Sequence, residues 1–458
     1  MTKCIGCKCC VVACNEQNGN PAEINWRRVG EVEGGYYPFA QRFHLSMGCN
    51  HCVEPSCLIG CPVEAYTKDI KTGVVLHSAD ACIGCQYCTW NCSYGVPQYN
   101  AERGVVGKCD MCHNRISDGM APACANACPE GAIQIEIVNI ATWRKDHSSA
   151  DAPGLPSSDD SISTTRVTLP ANLPPDMGRV DTDRVPLEHP HWPLVFVLVL
   201  TQLSVGAFAV LWLMDAMDRG GDLFLSALAS LTLAGIALGA APLHLGRPAF
   251  AWRAIKNVRR SWLSREVAAL SLFAGIAGGF AGMLFLDLPG RPLAGFLTVA
   301  SGALGVLCSA KIYMVPARPS WNSGYTVSEF FSTALLLGSL FMRVMSPDQA
   351  WVGWLAIIGG AAQLITMTLK FLWMSQSDVF ELRASSLLLS GPVRKLFLAR
   401  LGVLVTVIAL ALVKTSLPVA GGVLGLAFTG EILGRWLFFV GVVPKNIAAA
   451  FTTAGRAA

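Results

Sequence analysis

Seventeen of the eighteen cysteines of this 458-residue chain lie between Cys4 and Cys128, and their spacing constrains the fold more than any other feature. No apolar segment of signal-peptide length precedes them, so we expect reduced thiols that bind metal rather than a disulfide framework. The cysteines form four motifs: Cys4-x2-Cys7-x2-Cys10-x3-Cys14, Cys49-x2-Cys52-x4-Cys57-x3-Cys61, Cys82-x2-Cys85-x2-Cys88-x3-Cys92 and Cys109-x2-Cys112-x11-Cys124-x3-Cys128.

Sixteen thiolates at these spacings predict four [4Fe–4S] clusters. In bacterial ferredoxins three closely spaced cysteines bind one cube, and the fourth binds the neighbouring cube. Structural zinc is the alternative, since Cys-x2-Cys pairs also form zinc ribbons. Three cysteines at x2 spacing crowd one loop more than a tetrahedral zinc normally requires, which favours iron–sulfur. Cys9 breaks the spacing, and we interpret it as a small buried residue rather than a ligand.

The segments Cys49-Asn-His-Cys52, Cys82-Ile-Gly-Cys85-Gln-Tyr-Cys88 and Lys108-Cys109-Asp-Met-Cys112 resemble the four-cluster subunit of the dimethyl sulfoxide reductase family. The resemblance implies a duplicated α+β ferredoxin-like fold and a separate molybdenum bis-pterin catalytic subunit as partner. It also implies the ligand sets Cys4, Cys7, Cys10 and Cys128; Cys109, Cys112, Cys124 and Cys14; Cys49, Cys52, Cys57 and Cys92; and Cys82, Cys85, Cys88 and Cys61.

The second half of the chain is a series of apolar runs, each about twenty residues long, the length that a helix needs to cross a membrane. We therefore predict an all-α transmembrane bundle of eight helices. The motifs Gly275-x3-Gly279 and Gly278-x3-Gly282, and the pair Gly359-Gly360, predict faces on which helices approach closely. The runs lie near 193–215, 223–243, 266–286, 292–313, 326–344, 351–374, 396–418 and 420–443.

The net charge of +4 gives no indication of nucleic-acid binding, which requires a basic face. If eight helices span the membrane, both ends of the bundle lie on the same side. That side would then carry eleven basic residues, and the opposite side would carry four. By the positive-inside rule this predicts that the cluster domain faces the cytoplasm. The four are Arg219, Arg291, Arg343 and Lys414; the eleven are Arg247, Arg253, Lys256, Arg259, Arg260, Arg265, Arg318, Arg383, Arg394, Lys395 and Lys445.

Histidine is scarce in this half, where only His244 follows the boundary pair His189 and His191. A transmembrane b-haem usually needs two axial histidines, so we expect no haem. Oxidation of a quinol releases two protons, and His244 and Glu266 could accept them near the membrane surface. The alternatives are that His244 caps a helix end and that Glu266 complements the dipole of the next helix.

The block from His244 to Glu266, with Lys311-Ile-Tyr313, Arg318 to Asn322 and Glu431 to Arg435, resembles the eight-helix membrane anchor of the same reductase family. The resemblance implies that His244 and Glu266 belong to a menaquinol site, and whether the quinone here is menaquinone or ubiquinone stays open. It makes Arg247, Trp321 and Arg435 weaker candidates for lining that pocket. In most relatives the two parts are separate chains, whereas here they are fused.

We therefore expect a ferredoxin-type domain at 1–140, a Pro-, Ser- and Asp-rich linker at 141–190, a membrane anchor at 191–445 and a tail at 446–458. The chain would pass electrons between membrane quinone and the molybdenum subunit, in the inner membrane. A similar complex that oxidises sulfite on the cytoplasmic face is the alternative. A transporter would show inverted repeats or broken helices, which the sequence lacks, and a purely structural anchor would not need sixteen ligands.

Overall fold

The computed structural model describes residues 1–180, 185–219, 223–413 and 416–446, which form two compact units. The first unit contains residues 1–186 together with the short segment Leu245–Arg247 and the described residues from Pro444 onward. The second unit contains Leu187–His244 and Pro248–Val443. Each unit has its own packing and is described by itself.

The first unit is built from short strands and short helices around the cysteine loops. The strands β1 and β2 form an antiparallel pair, and the late strand β7 adds to the other edge of β1. Two further hairpins, β3–β4 and β5–β6, are separate two-stranded sheets. The strands are β1 Arg28–Gly34, β2 Gln41–Met47, β3 Tyr66–Lys68, β4 Val75–His77, β5 Gln98–Asn100, β6 Val105–Gly107 and β7 Gly178–Arg179.

Most helices of this unit are only one or two turns long, and all but the last lie within or directly after a cysteine motif. This alternation of short helices and hairpins is the α+β arrangement expected for a ferredoxin-like fold. The helices are α1 Cys9–Asn18, α2 Ser56–Gly60, α3 Tyr87–Asn91, α4 His113–Ser117, α5 Ala123–Asn126 and α6 Ile140–Lys145.

The described part of the predicted linker, residues 141–180, lies in the first unit and contacts the second cysteine motif. The amide of Val53 donates a hydrogen bond to the carbonyl of Ile162 (2.9 Å), and Thr165 Oγ1 donates to Asn50 Oδ1 (2.9 Å). The indole of Trp143 is buried and donates to the carbonyl of Ser163 (2.8 Å). These contacts give the Pro- and Ser-rich segment a fixed course within the unit.

The second unit is helical, and seven of its helices are long and apolar enough to cross a membrane within the described residues. The first of them, α7, is the most enclosed: 72% of the residues in its most apolar stretch are buried inside the unit, against 33% in each of the next two long helices. It is therefore the central helix of the bundle. The seven are α7 Trp192–Ala216, α8 Leu223–Ala240, α9 Trp262–Phe285, α10 Arg291–Tyr313, α11 Gly324–Met345, α12 Val352–Ser375 and α15 Leu417–Val440.

The span predicted at 396–418 corresponds to a shorter helix, α14 Arg394–Leu410, and residues 414–415 of that prediction lie outside the described residues. Seventeen residues rise only about 26 Å, less than the hydrocarbon core of roughly 30 Å. An additional helix, α13 Phe380–Ser390, precedes it and was not predicted. Seven candidate spans are thus observed, and a crossing by α14 stays a prediction.

Glycine positions account for part of the close helix packing, but not where all of them were predicted. Added Cβ atoms at Gly275, Gly279 and Gly282 would meet no atom within 4 Å in the described part of the chain, and one at Gly278 would reach only Leu231, at 3.9 Å, so the close approach predicted for these four glycines is not observed there. Gly359 does pack closely, with its Cβ position 2.7 Å from the amide nitrogen of Leu336. A closer approach between α7 and α11 was missed: a Cβ added at Gly206 would lie 1.8 Å from the carbonyl oxygen of Ala334, and one added at Gly338 would lie 2.2 Å from the carbonyl carbon of Gly206.

Candidate functional site

The four cysteine motifs share one backbone conformation. The residue immediately before the second cysteine of each motif has a positive φ: Gly6 (73°), His51 (43°), Gly84 (69°) and Met111 (60°). Two of the four are therefore side-chain-bearing residues in a conformation that glycine adopts most readily. The same turn four times in one chain indicates that each motif shapes its loop for the same task.

This turn directs amide groups at the cysteine sulfurs. In the last three motifs the residue with positive φ donates its N–H to the first sulfur, at 3.5 Å for Cys49, 3.4 Å for Cys82 and 3.3 Å for Cys109. A second type of hydrogen bond occurs at the last cysteine of two motifs. The amide of the residue four positions after that cysteine donates to its sulfur, at 3.3 Å for Cys61 and 3.2 Å for Cys128. Amide donors of this kind stabilise negative charge on sulfur.

The structure brings the sixteen cysteines together in four groups of four, and each group draws its fourth member from a different motif. Cys49, Cys52, Cys57 and Cys92 line one cavity, and Cys4, Cys7, Cys10 and Cys128 line another. Cys14 lies close to Cys109, Cys112 and Cys124, and Cys88 lies close to Cys82, Cys85 and Cys61. Each group has the same members as one ligand set that the family resemblance implied; that these groups bind clusters stays a prediction.

The chemistry of these groups fits a bound cation. Burial, with the neighbouring Cys49 and Cys92, raises the pKa of Cys52 to about 12, and burial raises that of Cys57 well above its ordinary value. Without a metal these thiols would stay protonated at neutral pH, whereas a bound metal deprotonates its thiol ligands. In the described residues no three His, Cys, Asp or Glu side chains converge on a point where one metal ion would sit. A cube instead has four irons, each with its own thiolate.

Two basic side chains lie among these groups. Arg27 donates to Ser46 Oγ (3.0 Å), which lies 3.2 Å from Cys10 Sγ. Burial alone would lower the pKa of Arg27, yet the surrounding thiols raise it. Lys108 is 3% exposed, and although burial opposes its charge, the thiols of Cys49, Cys57 and Cys109 likewise raise its pKa.

His51 joins two cysteine groups by hydrogen bonds. Its Nδ1 accepts the amide of Val75 (3.0 Å), so in the neutral ring Nε2 carries the proton. Nε2 lies 3.9 Å from Cys109 Sγ and can donate to that sulfur. Burial lowers the pKa of His51, which favours this neutral form. His51 was not singled out from the sequence, although it occupies the x2 gap of the second motif.

Cys9 differs from the interpretation made for it. We expected a small buried residue, but Cys9 is exposed. It begins helix α1, whose buried face carries Cys10 and Cys14 at a spacing of four residues. Cys9 lies one residue before Cys10, which corresponds to about 100° of rotation around the helix axis, so its side chain points away from this buried face.

In the membrane unit, His244 ends a short 3-10 helix, Ala241–His244, that continues from α8. Its Nδ1 donates to the carbonyl of Ala241, which leaves Nε2 as the acceptor of a neutral ring. Glu266 lies in the first turns of α9 and faces Ser309 and Cys308 on α10. Within the described residues no hydrogen bond or ion pair joins His244 to Glu266.

Arg247 belongs to the first unit, not the membrane unit. Its amide donates to the carbonyl of Ile83 (3.1 Å), and its guanidinium donates to the carbonyl of Ala79 (2.9 Å), both beside the third cysteine motif. These bonds hold the segment Leu245–Arg247 against the loop that begins at Cys82. Arg247 thus makes main-chain contacts rather than lining a described cavity.

Trp321 and Arg435 lie in an aromatic cluster of the membrane unit. Trp321 is 2% exposed, stacks on Phe438 (centroids 5.0 Å apart) and donates to the carbonyl of that residue. The Arg435 guanidinium lies 3.8 Å from the ring centre of Phe330 and donates to Gln202 Oε1 (2.8 Å). Around it the structure reveals charged residues that were not singled out from the sequence, among them Glu329, Lys370 and Arg400.

An iron–sulfur type cysteine unit and a helical membrane unit in one chain define a class, that of membrane-bound electron-transfer proteins. The model of a "4Fe-4S dicluster domain" matches residues 40–137. The model of the "DMSO reductase anchor subunit (DmsC)" matches residues 187–440, more than half of the chain. The chain therefore belongs to the dimethyl sulfoxide reductase anchor family, here fused to the iron–sulfur subunit, as the sequence predicted.

Curated relatives match over about a third of the chain. It is 39% identical over 141 residues to the probable anaerobic dimethyl sulfoxide reductase chain YnfG of Escherichia coli (strain K12), covering 29% of this chain and 68% of that protein. A second anaerobic dimethyl sulfoxide reductase chain of the same organism is 36% identical over 154 residues, 32% and 74% of the two chains. A sulfite dehydrogenase subunit of Allochromatium vinosum is 37% identical over 150 residues, 28% and 62%.

Proposed function

We propose that this chain is the electron-transfer and quinone-reactive membrane subunit of a molybdopterin oxidoreductase complex of the dimethyl sulfoxide reductase type. It would pass electrons between menaquinol or another membrane quinone and a separate molybdenum catalytic subunit. The observation that carries the proposal is the arrangement of sixteen cysteines in four groups, in a chain that continues into a membrane anchor of the same family.

The first part of the proposal is that each group holds one [4Fe–4S] cluster. Amide donors to five of the sulfurs support it, because they favour thiolates that share negative charge with a cluster. When bound, such clusters accept and pass on single electrons. Lys108 and His51 then act on the groups of Cys49 and Cys109, between which they lie.

Metal content tests this part directly. Anaerobically purified chain should contain about sixteen irons and as many acid-labile sulfides, because four cubes hold four of each. Zinc in place of iron, or iron sufficient for only two cubes, would contradict it. Cys9→Ser serves as the control, since removal of this exposed cysteine should leave the iron content unchanged.

The second part is that His244 and Glu266 accept the protons of a quinol. His244 is oriented for this, since Nδ1 is committed to Ala241 and Nε2 is left as an acceptor. Glu266 lies about 6 Å along α9 from its first residue, close to the helix end at which a quinone head group would be held. Trp321 and Arg435 are the weaker candidates, and Arg247 binds the third cysteine loop instead.

Replacement of Glu266 tests the second part. Glu266→Gln keeps the size of the side chain but cannot take a proton, so we expect quinol-driven cluster reduction to fall by about a hundredfold. Chemical reduction by dithionite should stay at the wild-type rate. Asp287→Asn removes a carboxylate just beyond the other end of the same helix and should have no effect. Unchanged quinol turnover in Glu266→Gln would remove this residue from the site.

The third part concerns orientation and direction. We propose eight spans with the cluster domain on the cytoplasmic side of the inner membrane, on the charge bias of eleven basic residues against four. Reduction of a sulfoxide or N-oxide is the family default. The relative named as a sulfite dehydrogenase subunit favours the reverse direction as a second candidate. Sulfite-dependent reduction of quinone by the purified complex would distinguish the two.

A further inference from the structure

A cavity of about 90 Å³ lies inside the membrane unit, among α11, α12, α13, α14 and α15. Five ionisable side chains line it: Glu329, Lys370, Arg400, Glu431 and Arg435. Neither His244 nor Glu266 lines this cavity, and of the five only Arg435 is also a weaker candidate for the quinone pocket. Ionisable groups inside a membrane bundle are rarely without function. Phe371 and Phe397 stack across the wall between α12 and α14, with ring centres 5.5 Å apart.

The inner end of the cavity is a closed set of hydrogen bonds around Glu431. The guanidinium of Arg400, 1% exposed, donates to Glu431 and to Gln363 Oε1 (2.8 Å). Thr333 Oγ1 (2.8 Å) and Gln363 Nε2 (2.9 Å) donate to the other oxygen of Glu431. The carboxylate therefore connects four helices.

The outer end is a second ion pair. Lys370 Nζ lies 3.0 and 3.1 Å from the two carboxylate oxygens of Glu329. Arg435 lies between the two ends, with Nη2 3.3 Å from Thr333 Oγ1 and 3.4 Å from the carbonyl of Glu329. The charged groups that act on Arg435 are Glu329, Glu431 and Arg400, with Tyr313 of α10 also close.

These groups follow one another into the membrane. Glu329 lies about 8 Å from the first residue of α11, at a rise of 1.5 Å per residue. Glu431 lies about 14 Å from the end of α15, and Gln363 about 18 Å from the end of α12. The contacts show that these helix ends share one side of the bundle. The set therefore extends from near one membrane surface to the middle of the helices.

Two donors in the set have no protein acceptor. Arg400 Nε and Arg435 Nε are buried and make no hydrogen bond within the described residues. A buried N–H without a partner is costly, and a cavity of this size and polarity has room for several waters that would accept from both. The three cations outnumber the two carboxylates, which also favours ligands with free lone pairs.

We propose that this cavity is a water-filled proton-exchange site. Water admitted beside Lys370 and Glu329 would carry a proton to or from the carboxylate of Glu329 and, past Arg435, to Glu431 at mid-membrane. The step is a proton transfer between a carboxyl group and water, in which one O–H bond forms as another breaks. The proposal does not depend on the quinone role of His244 and Glu266.

Hydration is tested by thiol labelling of the full chain in lipid nanodiscs. Met367→Cys places a thiol on the cavity wall, and Leu369→Cys places one on the exposed face of the same helix, two residues nearer its end. A small cationic methanethiosulfonate reacts with the thiolate, which forms in water and not in hydrocarbon. We expect Met367→Cys to react at least about tenfold faster, as a difference of one pKa unit would produce. Peptide mass spectrometry at residue 367 excludes labelling of native cysteines.

Proton exchange is tested by infrared spectra recorded between acidic and alkaline buffers. The wild-type chain should show a titrating carboxyl band that Glu329→Gln removes and that Glu381→Gln, a carboxylate in the first turn of α13, retains. Equally slow labelling of both cysteine variants, or an unchanged band in Glu329→Gln, would overturn the proposal. Protection of Met367→Cys by added decyl-menaquinone would overturn it too, by making the cavity a quinone pocket. None of these measurements requires quinol turnover, so a result that overturns the cavity proposal would leave the proposal for His244 and Glu266 unaffected.

Discussion

Lys108 is a buried cation whose position follows from the cysteines around it. Its Nζ donates to the carbonyls of Val75 and Cys109 (2.8 Å to the latter), so two of its protons are held by main chain. A lone buried ammonium would lose its charge, whereas nearby thiolates, and the negatively charged cluster proposed there, would stabilise it. The positive charge of Lys108 would in turn stabilise the reduced form of a cluster bound there, because the reduced form is the more negative one.

Replacement of Lys108 should therefore lower reduction potentials. At an effective dielectric constant of about 20, a unit charge about 8 Å away contributes roughly 2 kcal/mol, about 90 mV for one electron. We expect Lys108→Met to lower the potentials of the clusters held by the Cys49 and Cys109 groups by roughly this amount. Redox titration followed by electron paramagnetic resonance measures it. The exposed Lys71→Met is the control, and equal potentials in the two variants would contradict this role for Lys108.

Contacts of this kind lie beyond what the cysteine spacing could predict. Apart from Cys112 and Cys124, successive cysteines of one motif are separated by only two to four residues, so their grouping is largely local. Lys108, by contrast, reaches Val75 across 33 positions, and His51 reaches Cys109 across 58. Such partners come together only when the hairpins and loops pack, and nothing in either sequence segment specifies the other.

At the scale of elements, the segment Leu245–Arg247 shows how a short loop is held. The amide of Gly246 donates to the carbonyl of Gly84 (3.4 Å), and a Cβ added at Gly246 would lie 2.2 Å from the carbonyl oxygen of Gly104. It would also lie 2.7 Å from the Tyr99 hydroxyl. Only glycine permits this approach of three backbone segments.

A larger residue at 246 should displace the segment from the third cysteine loop. We expect Gly246→Val to destabilise the first unit by about 1–3 kcal/mol, the usual cost of overpacking. The measurement is thermal loss of cluster absorbance at the Cys82 group. Gly239→Val is the matched control, because an added Cβ there would meet no described atom within 4 Å, although a β-branched residue weakens a helix slightly. Equal melting of the two variants would count against the contact.

The helices were predictable to the extent that length and apolarity define them. Seven predicted spans correspond to long helices. A run of about twenty apolar residues in a membrane has to pair its own backbone N–H and C=O groups, and a helix does so within the run. The helix α13 was missed because its apolar residues, such as Leu382 and Leu388, occupy a short amphipathic pattern beside charged neighbours. The network around Glu431 was missed for a different reason, as Arg400 lies 31 positions away and on another helix.

At the scale of the whole molecule, the iron–sulfur part and the membrane anchor are fused in one chain, so they are always present in equal numbers. The relatives named as dimethyl sulfoxide reductase chains align with about a third of this chain, and the anchor model matches most of the remainder. The linker also contributes to the iron–sulfur unit, since the Ser161 hydroxyl lies 3.0 Å from Cys52 Sγ. We therefore expect that cutting the chain within 141–186 would impair the Cys49 cluster as well as the connection.

We propose, as the central step, that electrons pass between membrane quinol and the clusters of this chain. The most direct measurement mixes the oxidised, anaerobically purified full chain in nanodiscs with decyl-menaquinol and follows cluster absorbance and paramagnetic resonance. We predict that the clusters are reduced by the quinol, without any partner subunit and without a haem signal. Clusters that stay oxidised with quinol, yet are reduced by dithionite in the same sample, would contradict it.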